Sequence, residues 1–352
     1  MKSLYTFIAF LTIAVLFSCC KPIDLTADYK DITISYGILN PKDEIHYFKI
    51  YKGFITDENA YEAALDPDNI YYPVDSIEVR FEEYINGTLT RSAILDTTTQ
   101  VEKEQGDFAG PKQILYYSDW KLNTDATYRL VIYRKATDDI VYAETMITGD
   151  FTIRRPMVNW NMNLDNKYKI QFYQSYNAAL YDIYLTFYYI EVDNNTGNIE
   201  HKQLQRKLNS DYIRATNSTE INYNDFTPVS FFNNYIQAIP ENPNVTRYID
   251  AIDGQPYRCL RLTVWAADNN YLTYREVATP NSSIVQNRLE YTNFVSKDET
   301  AYGLLASRNY AHADLTFDNS MGHNEDTLVL SERTKRLNFD YYRNSPLFEP
   351  LR

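Results

Sequence analysis

Apolar residues in this chain recur at every second position, in short runs bounded by turn residues, and that period confines it to β-structure. Ile32, Ile34, Tyr36 and Ile38 alternate with Thr33, Ser35 and Gly37. The turn Asn40-Pro41-Lys42-Asp43 leads into a returning antiparallel strand over 45–51. Thr56 caps a short helix with Asp57 and Glu58 in its first turn, and Asp66-Pro67-Asp68-Asn69 ends it. Ile77, Val79 and Phe81 begin a hairpin that turns at Asn86-Gly87, a pair that tolerates the left-handed backbone of a two-residue loop. Tyr128, Leu130 and Ile132 begin another, turning at Asp138-Asp139 and returning over 142–147. Roughly seven strands with frequent turns predict an immunoglobulin- or fibronectin-like sandwich over 31–155.

Arg154-Arg155-Pro156 interrupts the pattern, because the residue before proline is pushed out of regular helix into extended chain. Residues 156–352 then read as a second, β-rich α+β domain with short helices. A strand over 169–173 precedes a long hairpin, out over 181–192 and back over 199–208. Thr227-Pro228 opens a helix whose apolar face carries Phe231, Phe232, Tyr235 and Ile236, and Pro240 stops it. A further hairpin is expected, out over 257–265, turning at Asp268-Asn269-Asn270 and back over 271–278. Short strands follow near 290–295, 302–307 and 326–330, and a polar end begins at Ser331.

The 352 residues suffice for two domains of ordinary size. The formal charge of −13 argues against nucleic acid as a partner and favours solubility. Cys19, Cys20 and Cys259 are the only cysteines, so no disulfide framework exists and packing supplies the stability. Tyrosine stands out, with 33 copies against 10 glycines. Tyrosine suits half-buried strand faces and recognition surfaces alike, since a large ring is ordered at small entropic cost.

Lys2, the apolar run from Leu4 to Phe17 and the small Ser18 describe a secretory signal peptide over 1–18. The run falls short of the ~20 residues a membrane-spanning helix needs. Leu16-Phe17-Ser18-Cys19 resembles the box of bacterial lipoproteins, which implies lipid attachment at Cys19 and a tether over 19–30. One acyl chain alone holds only weakly, and the two or three such lipoproteins carry make the anchor durable.

The chemistry-bearing residues are sparse. His46, His201, His312 and His323 form no metal-binding spacing, and no Gly-x-Ser-x-Gly elbow or phosphate loop occurs. Ser118-Asp119-Trp120-Lys121 has the Ser-x-x-Lys spacing of penicillin-binding enzymes but lacks the Lys-Thr-Gly partner. Asp66, Asp68 and Asn69 miss the spacing of a calcium loop and suit a helix end better. Cys259, within a strand, has no histidine beside it and reads as an inert thiol. Trp120, Trp160 and Trp265 are the candidate binding residues, as platforms for a sugar ring. No metal, cofactor or catalytic residue is expected.

Three stretches carry a resemblance to the uncharacterised envelope lipoproteins of Bacteroidota. They are the lipid-attachment box, residues 36–47 with Ile50-Tyr51-Lys52-Gly53-Phe54, and Tyr291-Thr292-Asn293-Phe294 leading to the segment 302–308. Ser296-Lys297-Asp298-Glu299 stands where such chains usually have a glycine before the Gly303 segment. The resemblance covers most of the chain and implies an outer-membrane lipoprotein with an immunoglobulin-like first domain; it transfers no site. The expected function is a binding or interaction module for a protein partner or a glycan, without catalysis. The alternative is a glycosidase-like cell-surface hydrolase using a carboxylate pair.

Overall fold

A computed structural model describes residues 31–54, 56, 59–104, 106, 108–163, 166–227, 236–278, 291–317 and 323–348. The expected signal peptide, tether and Cys19 lie outside these residues, as does most of the helix expected after Thr227. Only its last turn is described, a 3₁₀ turn at Ile236–Ala238. The fold is mainly β and of sandwich type, as the alternation predicts.

The first unit uses strands β1 (Thr33–Leu39), β2 (His46–Lys52), β3 (Ile77–Ile85), β4 (Thr88–Ile94), β5 (Asp96–Thr98), β6 (Leu115–Ser118), β7 (Thr127–Arg134) and β8 (Asp139–Met146). One sheet runs in the order β4-β3-β7-β8. Asn86 and Gly87 both take positive φ, 50° and 78°, which is the turn their sequence predicted. The facing sheet runs β5-β6-β2-β1. Between them Phe81 is the centre of an aromatic cluster, with ring centroids 5.1 Å from Phe48 and Trp120 and 5.2 Å from Tyr128.

This unit does not close within 31–155, which corrects the expected boundary. The next strand beside β1 is supplied by residues 301–307, paired in parallel from Thr33↔Ala301 to Leu39↔Ser307. Phe294, Ala301 and Leu305 lie in the core of the first unit. Parallel neighbours need a long crossover, and here it is the whole second unit.

The second unit adds β9 (Ile153–Arg155), β10 (Asn161–Met162), β11 (Tyr168–Tyr173), β12 (Leu180–Asp193), β13 (Ile199–Lys207), β14 (Ile213–Arg214), β15 (Glu220–Phe226), β16 (Val245–Ile249), β17 (Arg258–Ala267) and β18 (Ala301–Phe317). The predicted β12–β13 hairpin forms in register from Tyr184↔Lys207 to Val192↔Ile199. β18 pairs with β1 through its first half and with β17 through its second, Trp265 facing Tyr310. One path therefore crosses both units, β13-β12-β17-β18-β1-β2-β6-β5. A small sheet, β15-β11-β9, covers the second core, where Phe172, Tyr181, Phe187, Leu262 and Leu315 are buried. Arg247, fully buried, bonds Glu191 and the carbonyls of Leu337 and Pro240, and so fastens the chain's last described segment to β16.

The helices differ from expectation. Asn59 caps α1 (Ala60–Ala63), and Asp66 opens a second turn, α2 (Pro67–Ile70), rather than ending the first. The Asp66 carboxylate accepts the Asp68 amide, so capping explains that acidic cluster. Residues 271–278 are not a returning strand but part of α3 (Asn269–Ala278). Asp268 caps it, accepting the Tyr271 amide at 2.9 Å, and Leu272 packs on Leu180 and Ala267. β17 instead finds its partner in β18. Residues 326–330 likewise fall largely in α4 (His323–Val329).

β18 looked like short pieces because Ser307, Arg308 and Asn309 break its apolar pattern. Two of them are buried and hold the units together. Ser307 Oγ accepts the Thr148 amide at 2.8 Å, and Asn309 Nδ2 donates to the Gly149 carbonyl at 2.9 Å. Asp268 joins them, accepting the Ser307 amide at 3.0 Å and the Thr145 hydroxyl. Burial pushes the Asp268 carboxyl up to about 6, against the hydrogen bonds it accepts. A folded value above the unfolded one (~3.9) means the stabilising contribution is fully present below pH ~4 and lost as pH rises through about 6. A carboxyl-carbon NMR titration is expected to place the Asp268 midpoint near 6; a midpoint below about 4.5 contradicts this picture of the junction.

Candidate functional site

Both cores lie on one side of β18, because Leu305, Ala311, Ala313 and Leu315 share a face. The opposite face carries Arg308, Tyr310, His312 and Asp314 on β18, and Trp265 and Arg261 on β17. It continues across β1 with Tyr36 and Ile38, both exposed. This outer face is where tyrosine accumulates outside the cores.

A cleft of about 270 Å³ opens on it, lined by Leu180, Asp182, Tyr184, Gln205, Trp265, Ala266, Ala267, Tyr271 and Arg308. Registered pairing assembles it: Asp182 lies opposite Trp265, and Ala267 opposite Arg308. Helix α3 forms one wall, bringing Tyr271.

The Trp265 ring is held in a ladder. The Arg308 guanidinium lies 4.6 Å from its centroid, and the Tyr310 ring 4.8 Å away at 49°. Lys42 sits 4.6 Å over Tyr310 and donates to that residue's carbonyl. Asp182 is neutralised by Lys207 at 2.7 Å and Arg275 at 2.6 Å. Burial, followed by the Asp182 charge, raises the Tyr184 phenol, so it stays a neutral donor. Beyond the cleft, Arg261 grips Asp314 at 2.6 and 3.0 Å, and burial lowers the His312 imidazole.

The three tryptophans do not converge. Trp120 belongs to the first core, 6 % exposed, with Arg91 at 3.8 Å over its ring, and lies outside the cleft lining. Trp160 is half-buried against the second core, and its carbonyl accepts the Thr316 amide. Trp265 alone lines the cleft, and its ring anchors Arg308. Sequence reading missed Arg308, Asp182, Tyr184, Gln205 and Tyr271. The strand alternation over 181–192 put Asp182 and Tyr184 on one face, but nothing local revealed that β18 would bring Arg308 beside them.

His46, Cys259 and Ser118 lie within the strands of the fold. His46 is buried, its Nε2 2.9 Å from the Trp120 carbonyl, and burial lowers its imidazole. Burial likewise pushes the Cys259 thiol well up. Ser118 lies in β6 and its hydroxyl accepts the Trp120 amide. A second cleft of about 330 Å³ contains Asp31, Asp138, Asp139 and Asp298, but Arg134 occupies it, paired with Asp139 and Asp31. Among the described residues no group of three or more His, Cys, Asp or Glu is placed to hold a metal ion, and no helix is long and apolar enough to cross a membrane. No protein-family model matches the chain, and no curated protein matches it either.

Proposed function

We propose that this is a lipid-anchored envelope protein that binds a glycan through the Trp265 cleft and performs no chemistry on it. One observation carries the reading. The cleft combines an aromatic ladder, two phenols and an amide with a single carboxylate, Asp182, already neutralised by Lys207 and Arg275. Glycoside hydrolysis needs two carboxylates flanking the bond, roughly 5–9.5 Å apart, one of them free to move a proton. Recognition needs rigid aromatic area and oriented hydrogen-bonding groups, and the cleft has both.

The tether fits this arrangement. The described chain begins at Asp31, beside the Ala301 end of β18, and the cleft lies at Arg308. At ~3.3 Å per residue in a strand, Arg308 lies roughly 23 Å along β18 from Ala301. Lipidation at Cys19 would hold the protein at the outer membrane, by resemblance. Anchoring raises the local concentration of a binder near an envelope ligand.

The test is a glycan array probed with the purified mature protein, paired with turnover assays on glycosidase, esterase and peptidase substrates. Binding abolished by Trp265→Ala with an unchanged melting temperature, and no turnover, is expected. Turnover lost on Asp182→Asn with folding intact would replace this reading with the hydrolase. Capture of a protein alone, insensitive to Trp265→Ala, would move the function off the cleft.

A further inference from the structure

The chain is strongly acidic, yet its cleft is not. Its one lining carboxylate, Asp182, is committed to Lys207 and Arg275, and Arg308 is the one cation that lines it. Arg308 is exposed and has no ion-pair partner among the described residues. Its guanidinium is nevertheless positioned, lying over the Trp265 indole, which Tyr310 backs from β18. An arginine pre-oriented on an aromatic face loses less freedom on binding and presents parallel N–H donors that match a carboxylate in a bidentate pair.

We propose that the cleft selects a sugar bearing a carboxylate, a uronic-acid residue, with Arg308 as the carboxylate receptor. The proposal rests on the glycan reading above. The remaining lining suits the ring. Tyr184 and Tyr271 offer phenol groups, and Gln205 retains acceptor capacity while its Nε2 donates to Thr186 at 3.2 Å. The volume is near the low end for ligand pockets and suits one pyranose ring rather than a long chain. A peptide carboxyl terminus shares the carboxylate but not the ring hydroxyls that Tyr184, Tyr271 and Gln205 can engage. Asp182 is the one carboxylate lining the cleft, and its two cationic partners offset its repulsion.

Calorimetric titration of the purified mature protein at low salt compares four probes: D-galacturonate, its methyl ester, D-galactose and N-acetylalanine. The acid is expected to bind at least about tenfold more tightly than the ester and galactose, and to weaken as salt rises. Arg308→Ala should lower galacturonate affinity by about tenfold or more with no change in melting temperature. Arg308→Lys should recover part of it, since the charge remains but the fork is lost.

Equal binding of acid, ester and galactose, all lost in Trp265→Ala but unaffected by Arg308→Ala, would overturn the uronate proposal and leave the glycan reading standing. N-acetylalanine binding as tightly as galacturonate would make the site a general carboxylate receptor and overturn selection for a sugar. Absence of binding by all four probes at concentrations roughly tenfold above the millimolar range would overturn the uronate proposal, while the glycan array decides the broader reading independently.

Discussion

A fragment comprising residues 31–155 is expected not to fold on its own. Without the second unit, β1 loses its seven-residue parallel partner and becomes an open edge. The first core loses Phe294, Ala301 and Leu305, two of them large and nearly fully buried. Burying a Leu or Phe is worth about 1.5–3 kcal/mol each, against a typical total stability of about 5–15 kcal/mol. Arg134, 3 % exposed, also loses the Thr300 hydroxyl that helps satisfy it beside Asp139. Circular dichroism during urea unfolding should show no cooperative transition for the fragment, and a synthetic 291–307 peptide should restore one. A cooperative transition of the fragment alone, at the midpoint of the whole protein, would show that 31–155 is self-sufficient.

Gly303→Ala should be among the most damaging single substitutions in the chain. Gly303 has φ of +117°, a region that side-chain-bearing residues rarely enter, and a Cβ built there falls 1.8 Å from the Ser35 carbonyl oxygen. The obstacle is backbone of β1, so no side chain can swing away. Strain of about 1–3 kcal/mol adds to the loss of ladder bonds between β1 and β18, for a total above about 4 kcal/mol. For a protein of this size the melting temperature should fall by roughly 5 °C or more. Gly106→Ala is the control, because nothing lies within 4 Å of its added Cβ. A Gly303→Ala protein that melts with the wild type would contradict the close approach of the two strands.

What the sequence disclosed and what it concealed divide by range. The hairpins at Asn86-Gly87 and at 181–208 were legible because pairing, turn and alternation all lie within one short stretch. The pairing of β1 with β18 joins residues at opposite ends of the chain, and no local pattern encodes it. Polar Ser307 and Asn309 hid the continuation of β18 beyond the short strand expected over 302–307, although their side chains are spent on the Thr148 and Gly149 backbone. Tyr271, Thr273, Tyr274 and Val277 favour strand by composition, but the Asp268 cap and the seat for Leu272 impose a helix. The cleft was hidden for the first reason. Its walls come from β12, β13, β17, α3 and β18, and only Trp265 among its residues attracts attention in isolation.

β18 is a single strand shared by both units, and it places Arg308 beside Trp265. Native-state amide hydrogen exchange of the whole protein, followed residue by residue as denaturant is raised, tests it most directly. The amides of 301–317 and those of β1, β2, β12 and β17 are expected to share the highest protection and to merge into one global opening. Exchange of β1 and β2 through a separate, lower-energy opening, with β12 and β17 still protected, would contradict it.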